Sequence, residues 1–162
     1  MKKFMIILAV IATLFITGCT KEGQMLEFKS NGLTFYLPKD KDFEVVADSD
    51  LDYFLVNDDL IGVYLSHYDI AALREEWKED LSLEEFAGIC TFGNDLLSEE
   101  KTDDRIMVSY VDALESGDLY TFDVFMQNSK CFYWLTFDCE PEDMDTYKEV
   151  FRSWALLVKT ES

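Results

Sequence analysis

The sequence has very little histidine, and this scarcity limits the chemistry that it can perform. His67 is the only histidine in 162 residues, so a metal site built on two histidines is excluded and a catalytic triad would depend on this residue alone. The sequence also lacks Gly-x-Ser-x-Gly, a glycine-rich phosphate loop and the dinucleotide-binding fingerprint. His67 follows the alternating residues Val63 and Leu65, which predicts a strand-end histidine with its polar edge toward solvent. These absences indicate a protein that is not an enzyme.

Basic residues are the second scarce group. The chain has 14 Lys and Arg against 33 Asp and Glu, a formal charge of −19. Proteins that bind nucleic acid present a basic surface to the phosphates, so nucleic acid is excluded as a partner. The excess of acid favours a basic protein or a divalent cation as partner, and it also keeps an exported domain soluble.

The chain has no apolar run long enough for a comfortable membrane span, which needs about 20 residues. A shorter uncharged apolar run covers residues 4–17, directly after Lys2 and Lys3. A charged start, an apolar run and small residues before a cleavage site are typical of a secretory signal peptide. The run ends in Ile16-Thr17-Gly18-Cys19. This tetrapeptide resembles the lipobox of bacterial lipoproteins, which has an aliphatic residue, a small residue, Gly or Ala, and then Cys.

The lipobox resemblance implies cleavage after Gly18 and a diacylglycerol on the thiol of Cys19. We therefore expect a signal peptide at 1–18, a lipidated cysteine and tether at 19–24, and a single domain at 25–162. The alternative is an ordinary signal peptide whose cleavage site happens to precede a cysteine. Because Lys2 and Lys3 leave with the signal peptide, the mature chain would have 12 basic and 33 acidic residues, a formal charge of −21.

The expected anchor also predicts a location. Two or more acyl chains hold a protein stably on a bilayer, so we expect the domain to lie at the extracytoplasmic face of a cell membrane. Thr20 follows the cysteine where an Asp retention signal would stand. In a cell with two membranes, this residue would imply sorting to the outer membrane.

Three cysteines remain once Cys19 is lipidated. Cys131 and Cys139 belong to one predicted strand, in which eight residues span about 26 Å, so they are too far apart for a disulfide. One possibility is a single disulfide from Cys90 to Cys131 or Cys139. The alternative is that all three cysteines are buried thiols that act as small hydrophobic side chains. No cysteine spacing matches a zinc site.

The order of predicted elements indicates an α+β fold with a mostly antiparallel sheet and helices packed on it. Asn31-Gly32 between apolar segments predicts a hairpin, and Ser82-Leu83-Glu84-Glu85 predicts a capped helix start. The residues at 131–139 are apolar on both faces of the strand, which is typical of a central, doubly covered strand. The predicted strands are 25–28, 33–37, 43–47, 53–56, 60–67, 105–113, 119–127, 131–139 and 155–159. Three helices are predicted, each with one apolar stripe: Ile70, Leu73 and Trp77 in the first; Leu83, Phe86, Ala87 and Cys90 in the second; and Met144, Tyr147, Val150, Phe151 and Trp154 in the third.

This order resembles the PsbP-like fold, which takes its name from an extrinsic subunit of photosystem II and is shared with the Mog proteins. The segments that carry the resemblance are 33–38, the helix at 83–91, 120–124, 132–137 and the helix end at 151–154. The resemblance implies a final helix packed across the sheet. It carries over no manganese or chloride motif, and a shared fold does not assign a function.

A calcium site is the one metal site that the sequence favours. Asp48, Asp50 and Asp52 alternate, and Asp59 follows seven residues later, as at positions 1, 3, 5 and 12 of a calcium loop. Tyr53 replaces the glycine that such a loop requires at position 6. The hypothesis is therefore an irregular calcium site on Asp48, Asp50 and Asp52, and the alternative is a solvated acidic loop. We expect no other cofactor.

Twenty-four residues are aromatic, and most of them fall on stripes that face the predicted core. Tyr53, Tyr64, Tyr68 and Tyr110 would instead suit an exposed groove, because interaction surfaces are rich in tyrosine. With the anchor and the acidity, this favours a membrane-tethered, non-catalytic binding module. The alternative is an immunity- or inhibitor-type lipoprotein that caps a basic partner protein.

Overall fold

The computed structural model of the chain describes residues 25–46, 51–78 and 80–161. Among these residues are ten strands and three helices. The strands are β1 (Met25–Ser30), β2 (Leu33–Pro38), β3 (Glu44–Val45), β4 (Tyr53–Val56), β5 (Gly62–Asp69), β6 (Ser98–Lys101), β7 (Arg105–Leu114), β8 (Gly117–Gln127), β9 (Cys131–Cys139) and β10 (Lys159–Thr160). The helices are α1 (Ile70–Trp77), α2 (Leu83–Cys90) and α3 (Met144–Ala155). The fold is therefore α+β, as the sequence predicts.

The strands form two antiparallel sheets. The large sheet has the order β3-β4-β5-β9-β8-β7-β6, and the small sheet has the order β1-β2-β10. β9 lies in the interior of the large sheet between β5 and β8. This confirms the prediction from its apolar side chains on both faces, since a strand of that kind must be covered on both sides.

One face of the large sheet carries the small sheet and α3. The main core lies between them and joins Leu33 and Phe35 of β2 and Phe151 of α3 to Leu135 and Phe137 of β9. The ring of Phe151 stacks on that of Phe137 with centroids 5.6 Å apart. Each fully buried side chain of this size stabilises the fold by roughly 1.5–3 kcal/mol, so this layer supplies most of the packing.

The other face of the large sheet carries α1 and α2. Phe86 of α2 stacks on Phe132 of β9 with centroids 4.6 Å apart, and Ile106 and Val108 of β7 complete this second core. The two helices have eight residues each, about 12 Å of length. They cover the part of the face where β7 begins and β8 ends, and the opposite part stays open.

Several local predictions are confirmed. Asn31 and Gly32 take positive φ in the turn between β1 and β2, and Ser82 and Glu85 form the complete capping box of α2. A short 3-10 turn at Pro141–Asp143 leads into α3.

One predicted strand needs correction, and one strand was not predicted. The closing strand is Lys159–Thr160 and not 155–159, because α3 continues to Ala155 and β10 begins only where it pairs with β2. β6 was missed, because Ser98-Glu99-Glu100-Lys101 has no apolar alternation and becomes a strand only as the charged edge of the large sheet. In the described ranges, no helix combines the length and the apolar character needed to cross a bilayer.

Candidate binding groove

The uncovered part of the large sheet is a concave surface that we call the sheet-face groove. It has a volume of about 340 Å³ and is lined by Tyr64, Tyr110, Thr121, Trp134, Thr136 and Asp138 among others. Ligand pockets have volumes of roughly 300–1,000 Å³, so the groove suits a small molecule or a single side chain. Apart from Leu51, the lining residues come from β5, β7, β8 and β9, and the sheet therefore holds their backbones rigidly.

A repeated triplet places two carboxylates on this face. Thr-Phe-Asp occurs at 121–123 in β8 and again at 136–138 in β9. In the antiparallel register Thr121 lies opposite Asp138 and Asp123 lies opposite Thr136. Each aspartate therefore faces the threonine of the other triplet, and both carboxylates point to the same side of the sheet because side chains alternate along a strand.

Asp123 is the deeper of the two carboxylates and is fully buried. It accepts hydrogen bonds from the hydroxyl of Tyr110 at 2.8 Å and from Oγ1 of Thr136 at 2.6 Å. Burial raises the pKa of this carboxyl, and these two hydroxyls oppose the rise. Nε1 of Trp134 is near enough to lower the same pKa, although it is a buried donor without a hydrogen-bonded acceptor among the described residues.

Asp138 lines the groove itself and is 6% exposed. Its Oδ1 accepts a hydrogen bond from the backbone N–H of Gly62 at 2.9 Å. Burial raises the pKa of Asp138 to about 6; hydrogen bonds from Tyr64 and Gly62 lower it, and the charge of Asp123 raises it further. Burial and the neighbouring carboxylate also raise the pKa of Tyr64, which keeps this hydroxyl protonated.

Gly62 is required for this arrangement. A Cβ at position 62 would lie 2.2 Å from Oδ1 of Asp138 and 2.7 Å from the hydroxyl of Tyr64. Both distances are shorter than real contacts allow. The missing side chain therefore makes room for the carboxylate and the phenol to converge over β5.

The walls of the groove are aromatic and its charge is negative. Tyr64 stacks on Phe54 with centroids 4.7 Å apart, and Trp134 lies against Phe125 at 5.8 Å. Asp112 adds a third carboxylate at the rim. Among the described residues, no lysine or arginine lines the groove.

The tyrosines that the sequence assigned to a groove divide into two pairs. Tyr64 and Tyr110 line it. Tyr53 instead packs edge-on against Phe28 and Phe35 in the main core, and Tyr68 packs against Phe86 under α2. The prediction was therefore right for Tyr64 and Tyr110 and wrong for Tyr53 and Tyr68, because sequence spacing does not show which end of the sheet the helices cover.

Most of the residues predicted for the lipid anchor and the metal site lie outside the described part of the chain. Cys19 and Gly18, like Asp48 and Asp50, fall outside the described residues, so the lipid anchor and the calcium site stay predictions. The carboxylate of Asp52 already accepts hydrogen bonds from Nδ2 of Asn31 at 3.0 Å and from Nδ1 of His67 at 2.6 Å. In the described part of the chain, no three His, Cys, Asp or Glu residues are placed to hold a metal ion.

The three described cysteines are free thiols. Cys90 packs in the core under α2, whereas Cys139 and Cys131 belong to the main core on the opposite face of the large sheet. A disulfide from Cys90 to either of them would have to pass through the sheet. Burial raises the pKa of Cys90 and of Cys139 to about 12, which keeps these two thiols protonated and unreactive at neutral pH.

Sequence reasoning missed Asp123 and Asp138. A signal was present, because each acid stands between two apolar residues of its strand, and both belong to the same Thr-Phe-Asp triplet. An acid at a buried strand position is rarely tolerated unless it is hydrogen-bonded or functional. The register between β8 and β9, which brings the two triplets together, is not visible in the sequence.

Comparison with known proteins supports the fold and leaves the function open. No family model matches the chain, and no curated protein matches it. The solution structure of cyanobacterial PsbP (CyanoP) from Synechocystis sp. PCC 6803 is similar, with a TM-score of 0.55 and 11% sequence identity over 90% of this chain and 99% of that chain. A crystal structure from Bacteroides thetaiotaomicron VPI-5482 has a TM-score of 0.51 and 13% identity over 86% of this chain and 49% of that one, so this chain spans about half its length. The chain therefore has a PsbP-like α+β fold, and at these identities the likeness extends to the fold alone.

Proposed function

We propose that the protein is a non-catalytic binding module, tethered to a membrane by a lipid on Cys19, which takes its ligand into the sheet-face groove. The tether is supported by the basic start, the short apolar run and the tetrapeptide that ends in Cys19. The domain would then work on the extracytoplasmic face of the membrane, and on the outer membrane in a cell with two membranes.

The sheet-face groove is the observation that carries the binding function. It combines the aromatic walls of Tyr64 and Trp134 with a few convergent polar groups, among them the buried carboxylate of Asp138. Concave apolar surfaces with a few fixed polar groups are the usual form of a binding site. The groups stand on strands of one sheet, so they are preorganised and lose little entropy on binding.

The partners of the two carboxylates favour binding over catalysis. Acid–base catalysis by two carboxyl groups needs both groups to reach the substrate. Asp123 is fully buried and is held by Tyr110 and Thr136, so of the two hydrogen-bonded carboxylates a substrate would meet only Asp138. One hydrogen-bonded carboxylate can hold a ligand, but it is not a general acid and base pair.

The three tryptophans provide a test of this proposal. Trp134 lines the groove, Trp77 is on α1, and Trp154 lies in the main core on the opposite face. In a ¹⁵N-labelled protein purified from membranes in uncharged detergent, each indole N–H gives its own NMR signal. We expect fractions of the native cell envelope to shift the signal of Trp134 in a saturable way and to leave the signals of Trp77 and Trp154 in place.

Trp134→Phe removes and thereby assigns the signal of Trp134, and Trp77→Phe assigns that of Trp77. Equal shifts of all three indole signals, or no shift with any fraction, would contradict the groove as the binding site. Chemical conversion of the bound compound during the titration would contradict a non-catalytic role.

An inhibitor- or immunity-type lipoprotein that caps a basic protein is the second candidate. It is favoured by the formal charge of −21 expected for the mature chain and by the groove's lack of a lysine or arginine among the described residues. In the same experiment, this candidate predicts that one basic protein co-purifies in equimolar amount and alone shifts the Trp134 signal. A small envelope compound that produces the shift would favour the binding module.

A further inference from the structure

The charge inside the sheet-face groove is unbalanced. Asp138 is 6% exposed and Asp123 is fully buried, and Asp112 lies at the rim. The only groups found to lower the pKa of Asp138 are neutral hydrogen-bond donors, the hydroxyl of Tyr64 and the N–H of Gly62. Buried carboxylates in proteins are normally paired with a cation or coordinate a metal. In this groove, the cation is not supplied by any described residue that lines it.

The geometry of the groove selects the kind of cation. A metal ion needs several oxygen or nitrogen ligands at short distance, and no described cluster of His, Cys, Asp or Glu provides them. The aromatic walls favour an organic cation over a metal ion, because the faces of Trp and Tyr attract organic cations within about 6 Å of the ring centre. Trp134, Tyr64 and Tyr110 all line the groove beside Asp138.

The size of the groove limits the group that can enter. Its volume of about 340 Å³ is near the lower end of the range for small-molecule pockets. An alkylammonium group fits this combination, since its methylene chain can lie against the rings and its charged end can reach the carboxylate.

We propose that the sheet-face groove binds an alkylammonium group, either of a free amine or of a lysine side chain, with Asp138 as its counter-ion and Trp134 and Tyr64 as its walls. This inference rests on the proposed function, in which the groove is the binding site. It adds the chemical class of the ligand.

The test uses defined probes on the full chain purified from membranes in uncharged detergent. We titrate n-pentylammonium, the blocked lysine Nα-acetyl-lysine-N-methylamide and, as the neutral match, 1-pentanol, and follow the indole signal of Trp134. We expect saturable shifts with both cations at pH 8 and none with 1-pentanol. Tighter binding of n-pentylammonium indicates a free amine as the source, and tighter binding of the blocked lysine indicates a protein side chain.

Two variants with the same change of charge isolate the role of the counter-ion. Asp138→Asn removes the carboxylate in the groove, and Glu149→Gln removes an exposed carboxylate on α3, across the sheet. We expect at least a tenfold weaker affinity for n-pentylammonium in Asp138→Asn and an unchanged affinity in Glu149→Gln. Urea unfolding of each variant confirms that it is folded.

Two results would overturn the ammonium assignment: equal affinity for 1-pentanol and n-pentylammonium, or equal affinity of the two variants. If neither cation shifts the Trp134 signal while envelope fractions do, the assignment is wrong and the groove remains the binding site. If neither cations nor envelope fractions shift it, the proposed function itself is wrong.

Discussion

At the scale of single residues, the molecule keeps a buried acid in the middle of an apolar strand. Asp138 lies in β9 between Phe137 and Cys139, both of them fully buried. The removal of a carboxylate from water costs several kcal/mol unless its surroundings compensate the charge. A protein that retains such a carboxylate commonly does so for function, at some loss of stability.

We predict that Asp138→Asn is more stable than the parent protein at pH 8. The pKa of Asp138 rises from its ordinary value of 3.8 to about 6 in the folded protein, so the native state binds the proton more tightly than the unfolded chain. Stability is therefore lost as the pH rises from about 4 to about 6, and the loss persists above that range. At roughly 1.4 kcal/mol for each pKa unit, the free energy of unfolding should increase by up to about 3 kcal/mol.

Urea unfolding at pH 4 and pH 8 checks this prediction. The advantage of Asp138→Asn should be present at pH 8 and should largely vanish at pH 4, where the parent carboxyl is protonated. Glu149→Gln controls for the loss of one negative charge and should show no such dependence on pH. A variant that is less stable than the parent at pH 8 would mean that the ionised carboxylate is stabilised by its surroundings.

We predict opposite effects for two Gly→Ala substitutions. Gly62→Ala places a Cβ 2.2 Å from Oδ1 of Asp138, so Asp138 and Tyr64 must move apart, and overpacking of this kind costs roughly 1–3 kcal/mol. Gly88→Ala adds its Cβ on α2 where nothing lies within 4 Å and should increase stability by about 0.5–1 kcal/mol, as alanine does in helices.

The midpoints of urea unfolding for these two variants measure the difference. Gly62→Ala should also weaken the binding that shifts the Trp134 signal, whereas Gly88→Ala should leave that binding unchanged. Equal stability of the two variants would show that the groove is loose enough to accept a methyl group beside Asp138.

At the scale of elements, the length of the helices decides where the groove is. α1 ends at Trp77 with Lys78 at positive φ, and α2 begins after a new cap at Ser82. Neither helix reaches the part of the sheet around Thr136 and Asp138. On the opposite face, α3 and the small sheet form a cover that reaches from Met107 of β7 to Leu55 of β4.

We predict that Ser82→Ala destabilises the protein by about 1 kcal/mol. Oγ of Ser82 accepts a hydrogen bond from the N–H of Glu85, and the carboxylate of Glu85 accepts one from the N–H of Ser82. The loss of a helix N-cap of this type typically costs 0.5–2 kcal/mol. Ser153→Ala on α3 is the matched control, because its hydroxyl bonds only to the carbonyl of Val150 within the helix and should contribute little.

Hydrogen exchange localises the effect of the cap. The amides of α2 should exchange faster in Ser82→Ala, while those of β8 and β9 should change only with global stability. An unchanged exchange rate throughout α2 would show that packing of Phe86 on Phe132, rather than the cap, holds the helix.

At the scale of the whole molecule, the fold is layered and strongly acidic. The face of the large sheet beneath α1 and α2 is only half covered, so a ligand can reach β8 and β9 on that face. The acidic residues give a formal charge of −19 for the full chain, a field that attracts cations and repels nucleic acids and anionic surfaces. The groove and the overall charge therefore favour the same class of ligand.

The membrane anchor is a prediction about the whole protein. The mass of the chain purified from native membranes should equal that of residues 19–162 plus the added acyl chains. Cys19→Ala should lose both the added mass and the membrane association, because the thiol is the site of the thioether. Ser30→Ala, a substitution at the last residue of β1, is the control and should stay acylated. A full-length mass without acyl chains would refute the anchor.

Patterns along the chain were sufficient for most of the elements and for the charge of the molecule. Side chains that alternate every two residues, or repeat every three to four, depend on local geometry, so the strands β7, β8 and β9 and the helices α2 and α3 could be predicted with nearly correct limits. The turn at Asn31-Gly32 and the cap at Ser82 also act over a few residues. β6 could not be predicted, since its four polar residues become a strand only beside β7.

The groove depended on contacts between segments that are distant in the chain. The register of β8 against β9 pairs the triplet 121–123 with the triplet 136–138, and Gly62 from β5 admits the carboxylate of Asp138. The limited reach of α1 and α2 then leaves these side chains uncovered. A buried carboxylate obtains its properties from the atoms that surround it in space, because desolvation and hydrogen bonding act over a few ångströms and not along the sequence.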